Sequence, residues 1–195
     1  MGGRKILITG ASRGLGQIAV EAFTKDGWEV YPFTRTEYDF LKPWNFVVPE
    51  VEAIIHCAGG GLGLRGPYIP AQSFYELFQT NLGGAAEINR IAVPRMQAAG
   101  YGRVVHVCSI ASGEAVGSVG YNTIKTALAA YVRSLGRELA PYGVIVSGIA
   151  PGGFRAPQNA MERLRDTNPS AYQEFIEKRL PRGKMGEATE LLPLL

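Results

Sequence analysis

A tyrosine and a lysine four residues apart, Tyr121 and Lys125, are the side chains in this sequence best suited to moving a proton. They stand at the start of a predicted helix, where residues four apart share one face, so the ammonium group can lie near the phenol. A free tyrosine has a pKa of about 10, and a nearby cation lowers it. The pair therefore predicts an acid or base that acts near neutral pH.

The spacing itself is common, since Tyr38 and Lys42 show it too. Only Tyr121 follows an apolar run that ends at Ser109, which places a hydroxyl at the end of a predicted strand. Without this context, Tyr121 would be better interpreted as a structural tyrosine on the surface of a helix. With it, the sequence favours Tyr121 over Tyr38 as the catalytic group.

A second functional pattern is the glycine-rich segment at residues 9–16, TGASRGLG, between a predicted buried strand and a predicted helix. Glycines here permit a tight turn, a close approach of the backbone to a pyrophosphate and close packing of helix on strand. The N–H groups at the helix start then face the phosphate charge. The alternative is a glycine-rich turn without a ligand. The contacts predicted for a nucleotide are Gly10, Ser12, Arg13, Gly14, Leu15 and Gly16.

The elements that position these residues alternate between short apolar runs and longer helical patterns. Continuous apolar runs are typical of strands buried on both faces. Strands that alternate with helices indicate a parallel sheet covered by helices on both faces. No repeat or linker interrupts residues 1–195, which predicts a single α/β domain. The predicted strands are residues 5–9, 29–34, 53–57, 103–108 and 144–149, and the predicted helices are residues 15–26, 70–83, 85–100 and 121–140.

Three local features qualify this arrangement. Pro32 lies in the second predicted strand and favours an edge position, because proline cannot donate to a sheet. Between Arg35 and Ala53 there is room for a loop and one helical turn, but not for a full crossover helix. The leucines in residues 187–195 either pack back on the core or mark a sequence without its natural end.

Composition and charge argue against several classes of function. A net charge of +3 without blocks of like charge gives no indication of nucleic-acid or membrane binding. Two cysteines and two histidines are too few to predict a disulfide framework or a metal site. All four lie in apolar strands, and we interpret His56, His106, Cys57 and Cys108 as buried structural residues. With no targeting segment in view, we expect a cytoplasmic protein.

The order and spacing of these motifs resemble the short-chain dehydrogenase/reductase family, of the classical, 3-oxoacyl-carrier-protein-reductase-like type, over nearly the whole chain. The resemblance implies a Rossmann-type, doubly wound parallel sheet that lacks the family's last strand. It also implies a substrate lid at about residues 153–185. The segments that carry it are residues 9–16, Cys57-Ala58-Gly59, Asn81-Leu82-Gly83-Gly84, Ser109, Tyr121 to Lys125, and Pro151-Gly152.

The resemblance also implies a role for each matching residue. Tyr121 would be the acid or base, and Ser109 would polarise the substrate carbonyl. Lys125 would hold the nicotinamide ribose and lower the pKa of Tyr121, and Asn81 would hold a water in a proton relay. Further cofactor contacts would come from Ala58, Gly59, Pro151, Gly152 and Phe154.

The charge at the end of the second predicted strand bears on the choice of cofactor. Members of the family that prefer NAD usually place an acidic residue there, whereas this sequence has Thr34 followed by Arg35, with Arg13 in the glycine loop. Two guanidinium groups and no carboxylate suit a 2′-phosphate. This predicts NADP(H), with Asp39 and Phe40 as the adenine-contacting pair. The alternative is that both arginines are solvated loop residues.

Two departures from the family pattern affect cofactor binding. His56 and Cys57 replace two asparagines that usually brace the central strand, and Ala156 replaces a threonine that usually meets the carboxamide of the nicotinamide. Both departures predict a cofactor that is held more weakly or in a different way.

The predicted activity is the NADPH-dependent reduction of a ketone or 3-oxoacyl carbonyl to an alcohol. One alternative is a catalytically idle NADP-sensing regulator on the same fold, although a sensor needs only the glycine loop. Another is an epimerase or dehydratase of sugars, whose relatives are usually longer. The helices at residues 70–100 and 121–140 correspond to those that pair in family dimers and tetramers, so a homo-oligomer is expected.

Overall fold

A parallel sheet of five strands forms the centre of the computed structural model, which describes residues 3–195. The strands lie in the order β2-β1-β3-β4-β5, and every neighbouring pair is parallel. A doubly wound dinucleotide-binding sheet has the order 3-2-1-4-5-6, and the present order matches it with the outer strand 3 left out. The strands are β1 (Lys5–Thr9), β2 (Glu29–Phe33), β3 (Ala53–His56), β4 (Gly102–Val107) and β5 (Val144–Ile149).

Helices cover both faces of the sheet, as the sequence predicted. Alternate residues of β1 point to opposite faces, so Leu7 packs towards one layer while Ile6 and Ile8 pack towards the other. The main helices are α1 (Gly14–Lys25), α2 (Ala71–Phe78), α3 (Gly84–Ala99) and α4 (Val119–Leu139). Two shorter helices, α5 (Ala160–Thr167) and α6 (Pro169–Arg179), follow β5.

The predicted break between helices 70–83 and 85–100 is wrong. A π-helical turn, Gln79–Gly83, joins α2 to α3 without interruption, and Gly83 and Gly84 both keep helical backbone angles. A side chain at Gly84 would collide with the ring of Phe40, which packs directly on the helix. Glycine is therefore required at this position by close packing and does not stop the helix.

The connection from β2 to β3 contains no helix within residues 34–52, as the sequence predicted. Aromatic side chains fill the space instead: Tyr38 stacks on Phe33 at 3.7 Å between ring centroids, and Phe40 and Phe46 pack beside them. Pro32 lies on the outer strand β2, which confirms its predicted edge position.

The last residues fold back on the core. Strands β6 (Phe154–Arg155) and β7 (Gly186–Glu187) form a small parallel sheet, and a 3₁₀ turn, Ala188–Leu194, follows. Leu191, Leu192 and Leu195 pack beside α1, whereas Leu194 stays exposed. The outer edge of β5 pairs with no strand among residues 3–195, in agreement with the predicted lack of the last strand.

No helix in the part of the chain that the structure describes has both the length and the apolar character needed to cross a membrane.

Candidate active site

The carboxyl ends of β1 and β3 form the crevice where the strand order reverses. β1 leads into the glycine loop, and β3 leads into residues 57–60, which lie against that loop. A Cβ on Gly10 would lie 2.7 Å from the backbone nitrogen of Ala58. The same nitrogen donates to Thr9 Oγ1 at 3.2 Å. In open α/β sheets, ligands bind in such a crevice.

The glycines of the loop meet the demands of a phosphate site. Gly10 and Gly14 have φ angles of 67° and 63°, which favour glycine. A Cβ on Gly16 would overlap the carbonyl oxygen of Gly10, whereas one on Gly14 would meet open space. The loop is thus tightly packed at Gly10 and Gly16 and open at Gly14. Gly14 begins α1, where the first N–H groups lack partners within the helix. These residues fit the pyrophosphate of a dinucleotide.

The segment after β5 packs against one side of this loop and takes up the N–H group of Gly14. Gly14 N donates to the carbonyl of Pro157 at 2.8 Å, and Ile110 N donates to the carbonyl of Pro151 at 3.2 Å. Ala156, which stands where the family usually has threonine, is buried against Leu15. A small apolar residue suits this position because its side chain fills a hydrophobic contact with α1.

The expectation of a carboxylate-free site at the end of β2 is wrong. Thr34 Oγ1 donates to the carboxylate of Glu37 at 2.9 Å, and Arg35 Nε lies 4.0 Å from the carboxylate of Asp39. Both acids follow the strand end in the same turn, and only the folded turn brings them back to Thr34 and Arg35. The two acids partly offset the positive charge that the sequence suggested.

Phe40 has a structural contact that the sequence did not reveal. Its ring is buried in the core against Gly84, while the neighbouring Asp39 accepts a hydrogen bond from Leu41 N at 3.0 Å. The adenine contact assigned to this pair stays a prediction.

Asn81 lies in the π-helical turn and fixes the loop that follows β3. Its Oδ1 accepts from Gly60 N at 2.9 Å, and its Nδ2 donates to the carbonyls of Gly60 at 2.9 Å and Leu77 at 3.0 Å. A Cβ on Gly59 would lie 2.7 Å from Asn81 Oδ1 and 3.5 Å from Lys125 Nζ. The amide therefore positions the loop directly beside Lys125, and its predicted role in a water relay stays a prediction.

Lys125 is almost fully buried, with 3% of its surface exposed. Its Nζ donates to the carbonyl of Val107 at 2.9 Å and lies 5.8 Å from the ring centroid of Tyr121. Burial lowers the pKa of Lys125 to about 8 because it disfavours the charged ammonium.

The predicted lowering of the Tyr121 pKa by Lys125 is wrong for this structure. Burial raises the pKa of Tyr121 above its ordinary value, and the side chain of Ser109 opposes that shift. The buried Ser109 hydroxyl also accepts from Ala111 N at 3.1 Å. Since the ammonium of Lys125 is directed to Val107, burial dominates the pKa of the phenol.

His56, His106 and Cys108 are buried as the sequence predicted, whereas Cys57 is only partly buried and lies just after β3. His56 and His106 are buried and contact the amide of Asn89. Burial lowers the pKa of His56 to about 4 and raises the pKa of Cys57 to about 12. Burial likewise raises the pKa of Cys108. Both thiols are therefore protonated near neutral pH. Nothing in the sequence marks Asn89 as the partner of the two histidines.

Comparison with known proteins places this geometry in one family. The model of the short chain dehydrogenase family matches residues 45–167. The 2-dehydro-3-deoxy-L-rhamnonate dehydrogenase (NAD(+)) of Sphingomonas sp. (strain SKA58) is 28% identical over 216 residues, covering 96% of this chain and 84% of the relative.

Solved structures show the same fold. An oxidoreductase of the short chain dehydrogenase/reductase family from Burkholderia thailandensis superposes with a TM-score of 0.84 at 22% identity, covering 100% of this chain and 84% of its own. The structure of ElxO with NADP bound gives a TM-score of 0.83 at 17% identity, covering 98% and 89% of the two chains.

The fold, the crevice and the matched segment define an NAD(P)-dependent oxidoreductase acting on CH–OH or C=O groups. The chain belongs to the short-chain dehydrogenase/reductase family.

Proposed function

We propose that this protein reduces the carbonyl of a small ketone or 3-oxoacyl substrate to an alcohol, with NADPH as the hydride donor. The observation that carries the proposal is the position of Tyr121 and Lys125 in the first turns of α4, with Lys125 Nζ 5.8 Å from the ring centroid of Tyr121 and bonded to the carbonyl of Val107, two residues before the buried Ser109. When bound, the nicotinamide supplies a hydride. The protein supplies the hydrogen bonds and the proton.

The state of Tyr121 favours reduction over oxidation near neutral pH. Since nothing in the structure lowers its pKa below the ordinary value, the phenol is protonated near neutral pH and can donate to a carbonyl oxygen. Ser109 donates a second hydrogen bond to the same oxygen and stabilises the charge that develops there. The ammonium of Lys125, held by Val107, then stabilises the phenolate that remains.

The proposed cofactor rests on the two guanidinium groups of Arg13 and Arg35, which suit a 2′-phosphate. ElxO is a relative in fold with NADP bound, whereas the rhamnonate dehydrogenase uses NAD(+) by its name. The acids Glu37 and Asp39 beside Thr34 and Arg35 reduce the advantage of NADPH. We therefore propose that the protein prefers NADPH to NADH only moderately.

Replacing Glu37 with glutamine is expected to raise the ratio of kcat/KM for NADPH to that for NADH by about three- to tenfold. The carboxylate next to Thr34 repels a 2′-phosphate, and this exposed repulsion is worth about 1 kcal/mol. Steady-state kinetics with both cofactors measure the ratio. Glu50→Gln removes the same charge at an exposed position and should leave the ratio unchanged. An unchanged ratio in Glu37→Gln would rule out this role.

The activity itself is tested by NADPH oxidation against a panel of small ketones and 3-oxoacyl thioesters. Turnover of at least one carbonyl class is expected, with higher kcat/KM for NADPH than for NADH. Absence of turnover across the panel, or equal or better kinetics with NADH, would contradict the substrate class or the cofactor respectively.

A homodimer or homotetramer is also part of the proposal. Large apolar side chains are exposed on the helices expected to pair, namely Tyr75 and Phe78 on α2 and Val119 on α4. Light scattering after size-exclusion chromatography measures the assembly directly. The two free cysteines fit a reducing cytoplasm as its location.

A further inference from the structure

Four polar side chains form a connected cluster in the interior, which we call the histidine network: His56, Asn89, His106 and Tyr131. The two histidines and Asn89 are at most 3% exposed. Asn89 is the centre, since its amide lies 2.9 Å from His56 Nε2, 3.4 Å from His106 Nε2 and 3.2 Å from the Tyr131 hydroxyl. The imidazole rings stack at 4.5 Å, and Tyr131 meets His106 edge-on at 5.7 Å.

The amide of Asn89 assigns opposite tautomers to the two histidines. Its Oδ1 accepts from His56 Nε2, so His56 carries its proton on Nε2. Its Nδ2 donates to His106 Nε2, so His106 carries its proton on Nδ1. The orientation of all three side chains is therefore fixed by a single amide.

This arrangement is costly, which argues that it has a purpose beyond stability. His56 Nδ1 and His106 Nδ1 are both buried without a hydrogen-bond partner. Each such atom loses the hydrogen bond that water would give it, and apolar residues of similar shape avoid this cost. A buried polar network with fixed partners does, however, orient the elements that carry it.

Each member stands on an element that carries part of the candidate active site. His56 ends β3 and precedes the loop at residues 57–60, which Asn81 fixes. His106 lies in β4 directly before Val107, whose carbonyl holds Lys125. Asn89 lies in α3, which continues the π-helical turn of Asn81, and Tyr131 lies in α4, less than two turns after Lys125.

We propose that the histidine network is a positioning device that holds the ends of β3 and β4 in register with α3 and α4, so that Val107 keeps the ammonium of Lys125 in its buried place. Its members are positioning residues, because they reach the reacting atoms only through the Val107 carbonyl and the loop at residues 57–60. The importance of this network for catalysis rests on the proposed function, but its effect on Lys125 can be tested in the protein without cofactor or substrate.

The test measures the pKa of Lys125 by NMR titration of its ¹³Cε signal, assigned by its loss in Lys125→Met. In the wild type, burial places this pKa at about 8. Asn89→Leu leaves His56, His106 and Tyr131 without their shared partner. The ammonium is then expected to regain water, and its pKa to rise by about one pH unit or more.

Two further variants make the outcome decisive. Tyr131→Phe removes a single hydroxyl and is expected to give a smaller rise of about 0.5, which also decides the case if Asn89→Leu does not fold. Val93→Ala, in the buried core of the same helix α3, lowers the unfolding temperature without touching the network, and should leave the pKa of Lys125 unchanged.

A Lys125 pKa that stays at the wild-type value in both network variants would overturn the proposal. A rise in Val93→Ala as large as in Asn89→Leu would overturn it as well, because general loosening would then be the cause. No cofactor or substrate is needed, so failure of the proposed function shows separately, as absence of NADPH oxidation by the wild type.

Discussion

Replacing Tyr121 with phenylalanine is expected to lower kcat for carbonyl reduction by about 100- to 10,000-fold, the range that a positioned general acid contributes. The substitution removes only the hydroxyl, so the ring keeps its packing against Gly61 and its distance from Lys125. The KM for NADPH should change little. Single-turnover kinetics with the best ketone of the panel separate this chemical step from product release.

The chain contains its own matched control. Tyr38 also precedes a lysine by four residues, but its ring stacks on Phe33 in the aromatic cluster behind β2. Tyr38→Phe should keep kcat within about twofold of the wild type, because the ring that packs on Phe33 and Phe46 is retained. Wild-type turnover in Tyr121→Phe would refute the proposed acid.

The strands were predictable because they are continuous apolar runs in a sheet buried on both faces. Predicted β1 and β5 agree with the structure at both ends, and the other three agree within one residue at each end. The π-helical turn was not predictable in this way. Gly83 and Gly84 resemble a helix stop, and only the ring of Phe40, distant in sequence, explains why a glycine stands inside a helix.

Contacts between side chains that the folded chain brings together were harder to predict from the sequence than the motifs were. The carboxylate of Glu37 reaches Thr34 only once the turn after β2 has formed, and Asn89 meets the two histidines only once α3 packs on the sheet. The direction of the Tyr121 pKa failed for a related reason. The motif shows the nearby cation but not the burial of the phenol, which has the larger effect.

Protein stability is expected to fall by about 3 kcal/mol through His56 alone when the pH is lowered from 7 to 4. The pKa of His56 is about 4 in the folded protein, against about 6.5 in the unfolded chain. Below pH 6.5 the unfolded chain therefore takes up a proton that the folded protein excludes, and the free energy of unfolding decreases as the pH falls towards 4. His106, whose pKa is also lowered by burial, acts in the same direction.

Urea unfolding at a series of pH values measures this dependence, and the window from pH 6.5 to 5 isolates the imidazoles from most carboxylates. His56 and His106 are the only histidines of the chain, so no surface imidazole contributes. The double variant His56→Asn/His106→Asn should have a nearly flat free energy of unfolding across this window. The wild type should lose about 1.5 kcal/mol or more over the same range. Parallel curves for the two proteins would show that the imidazoles are not held neutral in the fold, and that the buried network does not exist as described.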